Sequence, residues 1–235
     1  MGDLVELAAS ILSQSTRRAE VTAQNLANAT TPAYKRRVAF ATLVNPADAA
    51  NDVIPQIASA VDFRAGKLVE TRNPFDMAVA GPGFFAVRFE DRVVYTRQGQ
   101  FRADGDGRLV NHEGGVLQLT NGGDAVVRTG NFEVRSDGTV VENGQTAGRI
   151  AVFTSEREAL MEAGDGGFVQ GRSTLTMFEE GRVTQGAYEA SNVSTGDEMV
   201  VMMEALRRAE AGQRVMNVYD DLMGRAVATF GEAVR

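Results

Sequence analysis

Apolar residues recur at helical spacing at both ends of this chain and at strand spacing through its middle. At the start, Leu4, Leu7, Ala8, Ile11 and Leu12 lie three or four residues apart, and the stripe resumes at Val21 and Leu26. Asp3 and Glu6 supply a capping acceptor and a first-turn acid. Thr30-Thr31-Pro32 closes the run, because proline keeps the preceding residue out of helical geometry. The pattern predicts one helix from Asp3 to Asn28.

The C-terminal stripe is longer. Met199, Met202, Leu206, Ala209, Gln213, Met216, Asp220, Met223, Val227, Phe230 and Val234 alternate spacings of three and four, an a/d heptad pattern interrupted by Gln213 and Asp220. Thr195 and Glu198 are candidates for a capping box, so the expected helix runs from Thr195 to Ala233. A second apolar face, Val215, Val218, Tyr219 and Leu222, accompanies its distal half. A helix apolar on two faces needs neighbours on more than one side.

Glycine marks the boundary between these ends and the middle. Of 25 glycines, 20 fall from Gly66 to Gly186 and none lies between Gly2 and Gly66. Turns favour glycine and helices do not, so residues 66–186 read as a turn-rich, antiparallel all-β domain. Its runs include Phe84–Phe89 and Val93–Thr96 around a tight turn, then Val116–Leu119, Ala125–Val127, Phe132–Val134 and Arg149–Phe153. Val38 to Ala65 carries Pro46 and Pro55 without a sustained period and reads as an extended connection. The predicted class is mixed α and β. A discontinuous, coiled-coil-like helical domain comes from the two termini (1–37 and 187–235), joined by the connection 38–65 to the inserted β domain.

Composition removes several functions. A formal net charge of -7 argues against a general nucleic-acid binder. The absence of cysteine excludes disulfides, thiolate metal sites and a cysteine nucleophile. The first residues have neither the basic region nor the apolar run of a cleaved secretory signal, and no stretch is apolar enough to span a membrane. Asp104-Gly105-Asp106-Gly107 looks like the opening of a calcium loop. Arg108 and Leu109 then follow and no matching glutamate appears, so a hairpin turn is the expectation. His112 is the lone histidine and has no nucleophile motif beside it. The reading contains no catalytic residue, cofactor or metal, and the protein is expected not to be an enzyme.

Four stretches carry a resemblance. Asn25-Leu26-Ala27-Asn28-Ala29-Thr30-Thr31-Pro32-Ala33-Tyr34-Lys35 resembles the N-L-A-N-x-x-T-x-G-[FY]-K signature of the bacterial flagellar rod and hook family. Asn73 to Phe85 is similar to its N-P-L-D-L-A-I-x-G-x-G-F-F. Tyr95 to Val110 is similar to Y-T-R-x-G-x-F…D-x-x-G-x-L-V, and Gly186 to Val193 to G-x-L-E-x-S-N-V. The motifs occur in family order, and the short chain with Pro32 looks most like the proximal rod type. Asn25, Leu26, Ala27, Asn28, Thr31, Tyr34 and Lys35 carry the first motif. Ala33 stands where the pattern has glycine, which argues against a left-handed backbone at that turn.

The resemblance implies a structural subunit of the flagellar basal-body rod. It would be exported through the flagellar type III apparatus without a cleaved signal and assembled in the periplasm. Its implied partners are proximal and distal rod proteins, the export apparatus and copies of itself, without nucleic acid or membrane insertion. Leu4, Leu7, Ile11, Met199, Met202, Leu206, Met216, Met223, Val227 and Phe230 are the expected assembly interface. Distal rod or hook protein of the same family is the nearest alternative. A cell-wall enzyme or a monomeric binding module with a helical stalk would be alternatives of other classes.

Overall fold

The computed structural model describes residues 2–44, 54–90, 92–154, 160–164, 167–170, 175–178 and 181–232. The chain divides into two compact units, one of residues 1–27, 37–62 and 194–235, the other of 28–36 and 63–193.

The first unit holds both long helices, α1 (Gly2–Ala27) and α2 (Thr195–Glu232), about 39 and 57 Å long at the usual helical rise. The Glu198 amide closes on the Ser194 carbonyl, which makes Ser194 the N-cap and shifts the cap by one residue from the expected Thr195. Asp197 and Glu198 then occupy the first turn, where acids offset the helix dipole. Strands β1 (Arg37–Val44) and β2 (Ile54–Val61) pair antiparallel from Arg37↔Val61 to Val44↔Ile54. The expected extended connection is therefore a hairpin belonging to the helical unit. Its sequence hides this because neither strand alternates cleanly, and Pro55 lies within the second.

The second unit is antiparallel β throughout its described strands. At its centre β3 (Phe84–Arg88) pairs with β4 (Val93–Thr96) and with the short strand Val116–Leu117, while Val152 and Phe153 pair with its first two residues. Met77, Phe85, Leu109, Leu117 and Ile150 are fully buried in one core. Two strand pairs close the unit: Met77–Ala80 with Arg182–Gln185, and Leu68–Glu70 with Ala187–Glu189. This second pair moves the boundary. Residues 28–36 and 187–193, expected with the terminal helices, fold with the β unit. Leu68–Glu70 supplies partner backbone for 187–189, and the Ala33 amide in turn bonds the Glu189 carbonyl.

Apolar alternation misled in two places, and the first is Arg149–Phe153, which spans the end of one strand (Gln145–Arg149) and the start of another (Val152–Thr154). Ala125–Val127, expected to be a strand, is instead held by isolated bridges, Val126 to Arg108 and the adjacent Asp124 to Gln118. The expected turn after Phe89 is closed by the Phe89 amide on the Arg92 carbonyl at 2.9 Å.

Candidate assembly surface and motif cluster

The helical unit buries small and polar side chains, with Val21, and leaves most of its large apolar ones outside. On α1, Ala8, Ser15 and Thr22 are buried at seven-residue intervals; on α2, Glu198, Ala205 and Gly212 repeat the same interval. The helices run antiparallel, with Ala8 opposite Gly212 and Asn25 opposite Glu198. A Cβ at Gly212 would sit 3.3 Å from the Ala8 carbonyl oxygen, so the helices approach too closely there for a bulky residue.

The expected a/d stripe is therefore not the seam between these helices. Met199, Leu206 and Met223 are exposed, and Met202 and Met216 are half-buried. Leu7 and Ile11 are exposed on α1. The side chains of Leu4, Val227 and Phe230 lie outside the described residues. Val215, Val218 and Leu222 add to the outward face, with Val218 60% exposed. Val5, Val215, Met216, Val218, Tyr219 and Leu222 line an apolar depression. The periodic pattern showed that the helix has two apolar faces. It could not show that residues one position away from the stripe, Glu198, Ala205 and Gly212, would take the seam.

Asn25, from the first motif, is buried at the end of α1. Its Nδ2 donates to the Arg37 carbonyl at 2.8 Å and to Glu198 Oε2 at 3.1 Å, and its Oδ1 accepts the Arg37 amide at 2.8 Å. The side chain thus holds both backbone groups of Arg37 as a strand would, and ties them to the first turn of α2. Asparagine supplies an acceptor and two donors at that reach; aspartate could not donate.

In the β unit the four motifs converge on Glu189. Its carboxylate is 1% exposed and accepts Lys35 Nζ at 2.5 Å, Arg97 Nη1 at 3.0 Å and the Gly66 amide at 2.7 Å. Lys35 also donates to the Arg64 carbonyl at 2.8 Å. Arg97 Nη2 donates to the Gly81 carbonyl at 2.6 Å, and its guanidinium lies over the Phe84 ring. Lys35, Gly81 with Phe84, Arg97 and Glu189 come from the first, second, third and fourth motifs in turn. Reading the sequence for chemistry missed this cluster. The available signal was a charged residue embedded in each of three otherwise apolar or turn-forming motifs.

Around it, the Ala33 amide donates to the Glu189 carbonyl at 2.7 Å, and the Asn192 amide to the Tyr34 carbonyl at 3.3 Å. Asn192 Oδ1 accepts the Arg36 amide at 2.6 Å. Ala33 is buried with φ 61°, so the left-handed turn persists without glycine, contrary to expectation. The fixed hydrogen bonds on either side impose that conformation, which costs a residue with a Cβ about 1–2 kcal/mol. Ala33→Gly is expected to raise the stability of the β unit by about 0.5 kcal/mol, strain relief exceeding the entropy glycine adds to the unfolded chain. A lower urea midpoint in this variant would show that methyl packing outweighs the strain.

The acidic turns are structural. Asp104 Oδ1 accepts the amides of Asp106 and Arg108 at 2.9 and 2.8 Å, and Oδ2 accepts Arg108 Nε at 2.8 Å. Desolvation pushes this carboxyl up, but the bonds outweigh it and hold it below its ordinary value. The hydrogen bond from Arg88 likewise holds Asp124 low. Among the described residues no group of three or more His, Cys, Asp or Glu is arranged to hold a metal.

Comparison with known proteins places these features. The profile of the domain described as flagellar hook protein FlgE/F/G D1 matches residues 78–120, and that of the flagellar basal body rod FlgEFG protein C-terminal region matches residues 184–229. The flagellar basal-body rod protein FlgF of Caulobacter vibrioides is 28% identical, over 92% of this chain and 93% of its own length. The chain is similar to flagellar rod and hook proteins over nearly its whole length. FlgF of Salmonella typhimurium is 27% identical over 91% of this chain and 92% of its own length. FlgG of Caulobacter vibrioides is 27% identical over 92% and 95%. The two matched regions of this chain contain Arg97 and Glu189 respectively, and the second covers most of α2.

Proposed function

We propose that this rod protein is a FlgF-type, proximal subunit that joins the axial structure through the outward apolar face of α1 and α2. The carrying observation is the inversion of the helical unit: small and polar residues take its seam, while Leu7, Met199, Leu206, Val218, Leu222 and Met223 stand in solvent. Such a face is stabilised only when neighbouring subunits cover it, at roughly 25 cal/mol per Å² of apolar surface. Copies of itself and other rod proteins are the proposed neighbours, paired helix to helix in coiled-coil fashion around an axial tube. The role is structural and not catalytic.

In this reading the subunit leaves the cytoplasm through the flagellar export apparatus and assembles in the periplasm. Both helical ends are unfolded in transit and fold when neighbours bury them. Among the described residues no helix is long and apolar enough to cross a membrane.

Leu206→Asp and Met223→Asp test the surface. Each places a carboxylate on the face to be buried, at a cost of about 2 kcal/mol or more, so incorporation into rods should fall by more than about tenfold. The β unit should melt unchanged. Normal incorporation of both variants would reject this face as the interface.

A further inference from the structure

Residues 28–36 lead out of α1 and residues 189–193 lead into α2, yet both segments belong to the β unit. They are far apart in sequence and are joined there by the Ala33–Glu189 and Asn192–Tyr34 backbone bonds and by the Arg36 amide on Asn192. We propose that Lys35, Glu189 and Arg97 form a pin that holds the roots of the two terminal helices together on the β unit in the unassembled subunit, before the helices pair. The idea rests on the reading of those helices as assembly elements, but concerns the free chain.

The pin has an anchored half and a releasable half. Arg97 is fixed in the core by the Gly81 carbonyl and the Phe84 ring, and it holds Glu189. Within this triad, Lys35 alone comes from the segment leading out of α1. All three side chains are buried, so salt screens the pairs far less than it would at the surface. Its consequence is entropic. Unpinned, with Leu68–Glu70 still paired to Ala187–Glu189, pairing α1 with α2 would require closing the loop of residues 28–67, about 40 residues; pinned, the helices start from adjacent roots, as a short linker raises local concentration. A subunit delivered with unfolded ends would then need only to zip them.

Hydrogen–deuterium exchange on the dilute, unassembled full chain tests this. In the parent, the Ala33, Arg36 and Asn192 amides should be protected like those of the β core, even where α2 amides exchange freely. Lys35→Met leaves Glu189 balanced by Arg97. It should speed exchange at residues 33–36 by at least about tenfold while Met77 and Ile150 stay protected. Three results would overturn the pin. Root amides in the parent could exchange as fast as those of α2, Lys35→Met could leave them protected, or it could release core amides to the same extent. The aspartate variants of the outward face report separately on assembly, so the pin can fail while that reading stands.

Discussion

Glu189→Ala is expected to lower the stability of the β unit by about 3–5 kcal/mol, a large part of the roughly 5–15 kcal/mol that domains possess. The variant leaves Lys35 and Arg97 buried together without the carboxylate that both engage, and strips the Gly66 amide of its acceptor. Two like charges desolvated side by side repel, and neither can reach water without opening the motif cluster. Arg97 already carries a buried Nε with no partner among the described residues, and loss of Glu189 would leave its Nη1 unpaired as well. Glu189→Gln should be milder, because its carbonyl can still accept from Gly66 or a cation. Denaturant unfolding followed by far-ultraviolet circular dichroism measures both. Equal, small effects of the two substitutions would mean that the charge at 189 contributes little.

Gly99→Ala is expected to be as damaging for a reason of space alone. A Cβ built there would overlap the Met77 carbonyl oxygen and lie 3.3 Å from the Phe85 ring. The obstruction is backbone, not a side-chain tip that could turn aside. The Met77 amide donates to the Gly99 carbonyl at 2.7 Å, so the two chains cannot separate without losing that bond and shifting two fully buried residues, Met77 and Phe85. Rearrangement of this kind costs several kcal/mol, and a protein with marginal stability would populate the unfolded state. A protease-resistant β unit with an unaltered melting temperature in Gly99→Ala would contradict this packing. Gly99 sits two residues after Arg97 in the third motif. One half of that motif supplies charge to the cluster, and the other lets the chain pass close enough for it to form.

Local chain chemistry was enough to place the two long helices, their approximate ends, the turn-rich β middle and the order of four motifs. Hydrophobic period, capping residues, proline and glycine positions act over one or two turns of chain, so they can be read without the fold. The hairpin at β1 and β2 was illegible because its strands are specified by each other and by the helices beside them, not by an alternation of their own. Which helical face turns inward was also undecided, since heptad spacing marks apolar stripes without ranking them. Two contacts settle it in the folded unit: backbone approach at Gly212 and Ala8 leaves no room for a bulky residue, and Glu198 is drawn inward by Asn25, so the methionine and leucine stripe is left outside. Motif residues such as Lys35, Arg97 and Glu189 could be matched one by one from the sequence. That they are one buried ion cluster follows only from the fold, because partners separated by 92 and 154 residues meet when the strands between them pair.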